Sequence, residues 1–198
     1  MRLPALTASV LLLSASLVLA QAPPSAPVIG TGSVLPWATV AESYSQQFSA
    51  SGGVEPYAWR VTSGTLPPGL VLSPEGLLNG KPDGTGAFFF TVTVTDSSGK
   101  SAAGSFILLV ILPPTPVVSV SGLKDTIDPA QQPSFDVLLS SSYPRDITGT
   151  VTLTFEPDAV NPSDDPSIQF SSGGRILNFT VPAGQTRAAW AAAPALQT

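Results

Sequence analysis

Between residues 56 and 96 the chain alternates large apolar and polar side chains in short runs, and proline or glycine closes each run before a helix can form. In Tyr57-Ala58-Trp59-Arg60-Val61 the large apolar residues occupy every second position, so one strand face carries Tyr57, Trp59 and Val61. Phe88, Phe90, Val92 and Val94 repeat the pattern, with Thr91, Thr93 and Thr95 on the opposite face. Between them stands Leu66-Pro67-Pro68-Gly69-Leu70, in which the prolines hold φ at about −65° and Gly69 supplies the permissive position of a tight turn. Gly80, Pro82, Gly84 and Gly86 punctuate the next connection, and Asp96-Ser97-Ser98-Gly99 closes the long strand. No helix of ordinary length fits this spacing, and the expected fold class is all-β.

The order of short motifs here resembles a known family. Leu35-Pro36, Ala50-Ser51-Gly52-Gly53, Pro56-Tyr57-Ala58-Trp59, Gly64-Thr65-Leu66-Pro67-Pro68-Gly69-Leu70, Asn79-Gly80-Lys81-Pro82 and Thr93-Val94-Thr95-Asp96 are similar to the immunoglobulin-like repeat of bacterial surface proteins, related to cadherin-like and dystroglycan-type modules. The resemblance covers residues 27–112, under half the chain. One departure is Lys81, where the family usually carries a small Thr after the glycine; it touches a turn and leaves the fold expectation intact. The resemblance implies a β-sandwich used in secreted or surface-attached proteins, and it implies no catalytic residues.

A length of 198 residues accommodates one or two domains. The hydrophobic share of 43% suffices for a packed core, while 21 prolines and 17 glycines suit turn-rich β structure. Cysteine and histidine are absent, which removes disulfides, Cys or His zinc sites, thiol catalysis and the common catalytic triads. The net charge is −5 and the basic residues are scattered singly, so nucleic acid, which needs clustered Lys and Arg, is excluded as a partner.

Met1-Arg2 followed by a largely apolar run at 6–19 and Val18-Leu19-Ala20 reads as a signal peptide over residues 1–20, cut ahead of Gln21. The expected localisation is therefore secreted or cell-surface, with no membrane span after cleavage. An uncleaved anchor is the alternative. Residues 21–27 read as a linker, 28–112 as the first immunoglobulin-like sandwich, and Pro113-Pro114-Thr115-Pro116 as a stiff boundary at 113–116. Residues 117–198 carry candidate strands at 117–121, 135–139, 149–155, 168–170 and 176–181, and read as a second β-sandwich. Residues 190–198 show no turn and return strand, which leaves open that the chain stops inside this domain. In 102–112 both phases are apolar, so that strand is expected to be buried on both faces or to cover a neighbour.

Each candidate site has a plainer structural reading beside it. Tyr57 and Trp59 could stack on a sugar, but their alternation with Val61 favours a sandwich core. Trp37, just after a proline, is the better exposed candidate, with Tyr44 beside it as a possible contact. Asp96 invites a calcium reading, yet calcium takes six to eight oxygens, and an Asp-Ser-Ser-Gly turn already explains the residue. Glu156, Asp158, Asp164 and Asp165 are denser but lack the spacing of an EF-hand loop and read as a solvated loop. Asn178-Phe179-Thr180 is a glycosylation sequon inside a strand pattern.

No catalytic, cofactor or metal residue is assigned, calcium remaining a minor alternative. The expectation is a non-enzymatic spacer or adhesion segment whose partners are other domains or surface proteins; a polysaccharide- or protein-binding module is the alternative.

Overall fold

The computed structural model describes residues 25–123, 131–154, 168–191 and 194–197. Described strands in the first part are β1 (Val28–Ile29), β2 (Ala38–Thr39), β3 (Tyr44–Gln47), β4 (Ala50–Ser51), β5 (Ala58–Gly64), β6 (Leu70–Leu72), β7 (Leu77–Gly80), β8 (Gly86–Thr95) and β9 (Ser101–Ile111). They form a four-stranded sheet in the order β2-β9-β8-β5, a three-stranded sheet β3-β7-β6, and the short pair β1-β4. All pairings are antiparallel except β2 on β9, which is parallel.

The two larger sheets close over one core because strand alternation gives each a largely apolar inner face. Ala38, Trp59, Phe90, Val92, Val94, Phe106, Leu108 and Val110 from the four-stranded sheet meet Leu70 and Leu78 from the other, with Leu35, Val40 and Phe48 filling the ends. Phe48 stands edge-on to Phe106 at 4.8 Å between ring centres and tilted to Trp59 at 5.6 Å. The 66–70 turn forms as its residues dictate: Leu70 N–H donates to the Pro67 carbonyl at 3.1 Å, and Gly69 has φ +85°. A Cβ on Gly69 would stand 2.0 Å from the Lys81 carbonyl oxygen, so the backbone of this turn lies directly against that of the next.

The remaining described strands are β10 (Val118–Ser121), β11 (Asp136–Leu139), β12 (Ile147–Thr152), β13 (Gln169–Phe170), β14 (Ile176–Val181), β15 (Ala189–Trp190) and β16 (Leu196–Gln197). They pair as β10-β11, β12-β14-β15 and β13-β16. Val137, Leu139, Phe179 and Val181 form one apolar cluster, and Phe135, Phe170 and Leu177 a second, both touched by Val151 and Trp190.

Among the described residues of the tail, Trp190 pairs with Phe179 and Leu196 with Phe170. One expectation differs from the structure. β9 is not covered on its outer face: Leu109 and Ile111 are exposed while Phe106, Leu108 and Val110 are buried, since no described layer packs outside the four-stranded sheet. Residues 1–24, including the expected signal peptide, and the acidic patch Glu156, Asp158, Asp164 and Asp165 lie outside the described residues. Among the described residues no helix is long and apolar enough to cross a membrane.

Candidate binding surface

Trp59 lies at the middle of the core, 6% exposed, as its alternation with Val61 predicts. Its indole rests on Gly76 so closely that a Cβ there would stand 2.8 Å from Cδ1 and Nε1. The neighbouring Tyr57 is half-buried and its hydroxyl donates to the Gly52 carbonyl. Both rings border a shallow pocket of about 440 Å³ whose wall also includes Phe48, Glu55 and Glu75.

Asp96 is 5% exposed and collects four hydrogen bonds. Its Oδ1 accepts from Ser98 N–H at 3.0 Å, Ser98 Oγ at 2.8 Å and Lys100 N–H at 2.8 Å, and its Oδ2 accepts from Val54 N–H at 3.1 Å. Burial on its own pushes this carboxyl up, but the bonds from Ser98, Lys100 and Val54 outweigh it and hold the group below the usual carboxylate value. The arrangement fits the turn reading: the carboxylate ties the β8–β9 hairpin to the 52–56 loop. Among the described residues no three acidic side chains gather as metal ligands.

Trp37 is the exposed aromatic the sequence anticipates, 70% accessible, between Pro36 and Ala38. The Tyr44 hydroxyl donates to the Pro36 carbonyl at 3.1 Å, so it braces the segment that presents Trp37, and burial raises its pKa above the ordinary tyrosine value. A second feature escaped the sequence reading: Phe89, on the outer face of β8, is 67% exposed. Its alternation with Phe88 and Phe90 marks it as outward, but a three-phenylalanine run obscures which phase is core.

A groove of about 560 Å³ runs between the end of the first sandwich and the following segment, lined among others by Ala41, Glu42, Pro114, Ser141, Tyr143 and Gly184. Its lining contains a single carboxylate, so it provides no acid–base pair of the kind glycoside hydrolysis requires.

Residues 26–111 match the family model described as "Putative Ig domain". This segment is an immunoglobulin-like repeat of that family. No curated protein matches the chain. Among solved structures, a "putative alpha-galactosidase/melibiase" of Bacteroides fragilis is similar at 21% identity and a TM-score of 0.39, over 46% of this chain and 19% of that one. The chain thus spans about a fifth of that relative's length. Protocadherin gamma B7 cadherin domains 1–4 are similar at 12% identity and a TM-score of 0.40, over 87% of this chain and 49% of that one. The titin domains Z1Z2 solved with telethonin are similar at 16% identity and a TM-score of 0.44, over 81% of this chain and 83% of that one.

Proposed function

We propose that the chain is a non-enzymatic exported protein of two tandem immunoglobulin-like sandwiches, serving as a spacer or adhesion segment at the cell surface. The observation that carries this reading is the partition of strand pairing at the proline join. Every described pairing links strands on the same side of residues 113–116, and each side has apolar clusters of its own. Two bodies that fold on separate cores and meet through Pro113, Pro114 and Pro116 have few soft backbone dihedrals between them, which suits holding a partner at a distance. Export rests on the residue pattern of the first twenty positions.

The test is twofold. The protein recovered outside cells is expected to begin at Gln21 by mass, and intracellular retention of the uncut chain would sink the export reading. In small-angle scattering, replacing the three prolines at 113–116 with glycine and serine should broaden the distribution of overall dimensions. An unchanged profile would remove the stiff join from the mechanism.

A binding module is the second reading, favoured by the exposed Trp37 braced through Pro36 by Tyr44. Saturable retention on insoluble polysaccharide or intact cells, lost in Trp37→Ala while melting is unchanged, would promote it over the spacer.

A further inference from the structure

We propose that the pocket beside Trp59 binds one unit of a neutral saccharide. The inference goes beyond the spacer reading and does not rest on it, and Trp37, the contact of the binding-module reading, is not part of this pocket's wall. Three segments frame the site. Phe48 follows β3, Glu55 precedes β5, and Glu75 stands in the turn from β6 to β7. Backbone bonds fix that turn to both neighbours: Trp59 N–H donates to the Pro74 carbonyl at 2.9 Å, and Phe48 N–H to the Gly76 carbonyl at 2.8 Å. The Gln47 amide adds two more, donating to the carbonyls of Phe48 at 3.1 Å and Glu75 at 2.9 Å, which leaves its Oε1 to accept. The Trp59 side chain is 6% exposed, yet its indole N–H has no acceptor among the described residues. No buried side-chain nitrogen or oxygen among them lacks a partner, so this nitrogen is not sealed in the core. It lies on the open sliver of the ring, against Gly76 and beside Glu75, where the ring lines the pocket.

The donors and acceptors of the wall select the ligand. The Glu55 and Glu75 carboxylates and Gln47 Oε1 accept hydrogen bonds, whereas the indole N–H only donates. A ligand that satisfies all of them must both donate and accept. An anion meets the indole but is repelled by two carboxylates. A bare ammonium meets the carboxylates but leaves the indole donor facing a positive charge, without an acceptor. A hydroxyl does both, since it donates one proton and accepts on two lone pairs. Phe48, Tyr57 and Trp59 supply the apolar wall against which the C–H groups of a sugar ring pack. The volume of about 440 Å³ falls in the range of small-molecule sites. Because the pocket is shallow, it covers one sugar unit on one side only, and the expected affinity is weak, of millimolar order.

The chain has three tryptophans, so the indole N–H signals of the nitrogen-labelled full chain test the proposal by nuclear magnetic resonance. Glucose, galactose, mannose, N-acetylglucosamine and the tetrasaccharides they build form the panel of probes. At least one is expected to shift the Trp59 signal saturably while the Trp37 and Trp190 signals stay in place. Glu55→Ala and Glu75→Ala, both at exposed positions that leave the core intact, should each weaken that binding by about tenfold. Trp59→Phe removes the donor and should abolish it; because this change also touches the core, melting checks its fold, and the two glutamate variants decide the matter if it does not fold. Binding of a neutral sugar should be the same at low and high salt, unlike that of a cation. The proposal is overturned if no sugar of the panel shifts the Trp59 signal, or if both glutamate variants bind as the parent does. Binding abolished by Trp37→Ala would move the sugar to that residue, and a shift given by choline chloride alone would assign the pocket to a cation; either result also overturns it.

Discussion

The Asp96 carboxylate accepts the backbone N–H of Val54 at 3.1 Å, across 42 residues of sequence. With its bonds to Ser98 and Lys100, this contact makes one side chain both the cap of a hairpin and the anchor of a distant loop. The pKa of Asp96 is lowered in the fold, so its stabilisation is fully present above the unfolded value of 3.8 and is lost as pH falls through the lower folded value. Asp96→Asn should melt below the parent protein at pH 7, and the gap should narrow in acid below that value. An equal gap at every pH would show that the charge of the carboxylate does not matter.

The Trp59 indole packs directly on the backbone of Gly76. Trp59→Ala is expected to cost about 3–5 kcal/mol by urea unfolding. Gly76→Ala places a methyl against the indole at a φ of +87° and should cost about 2–4 kcal/mol. A Gly76→Ala protein as stable as its parent would mean that the ring shifts freely.

Ala41 is the non-glycine residue with positive φ among the described positions, at 65°. It is exposed, and its N–H donates to the Pro82 carbonyl at 2.8 Å. Ala41→Gly relieves the Cβ strain while adding unfolded-state entropy, so the midpoint of unfolding should rise by up to about 1 kcal/mol equivalent. A fall would show that the left-handed backbone is no burden here.

Asp136 receives the Arg187 Nε–H and the Trp190 indole N–H, the latter at 3.2 Å, linking β11 to the tail. Arg187 is 74% exposed, so Arg187→Ala should cost under about 1 kcal/mol. Asp136→Ala should cost more, because it also strips the half-buried Trp190 of its acceptor, and the change should appear in tryptophan emission. Equal costs would place the whole effect in the ion pair.

Much of the first sandwich was legible in sequence because its signals are local. Trp59 and Val61 show their phase by alternation, Pro67-Pro68-Gly69 sets backbone angles by covalent geometry, and Asp96-Ser97-Ser98-Gly99 bonds within itself. Other features were not local. The bond from the Tyr44 hydroxyl to the Pro36 carbonyl, and the pairing of Trp190 with Phe179 and Leu196 with Phe170, join residues that no local pattern connects. Strands that pair across many residues leave little trace in either segment alone.

The residues by themselves determine the all-β class, the turns and the inward phase of β5 and β8, since period-two alternation and the φ limits of proline and glycine act within a few residues. Tertiary structure decided which surfaces stay open. Ile107, Leu109 and Ile111 are as apolar as the buried Phe106, Leu108 and Val110, and no local rule separates a doubly covered strand from one facing water. Only the stacking of sheets shows that one side of β9 has a partner layer and the other does not, because burial belongs to the assembled layers rather than to the strand.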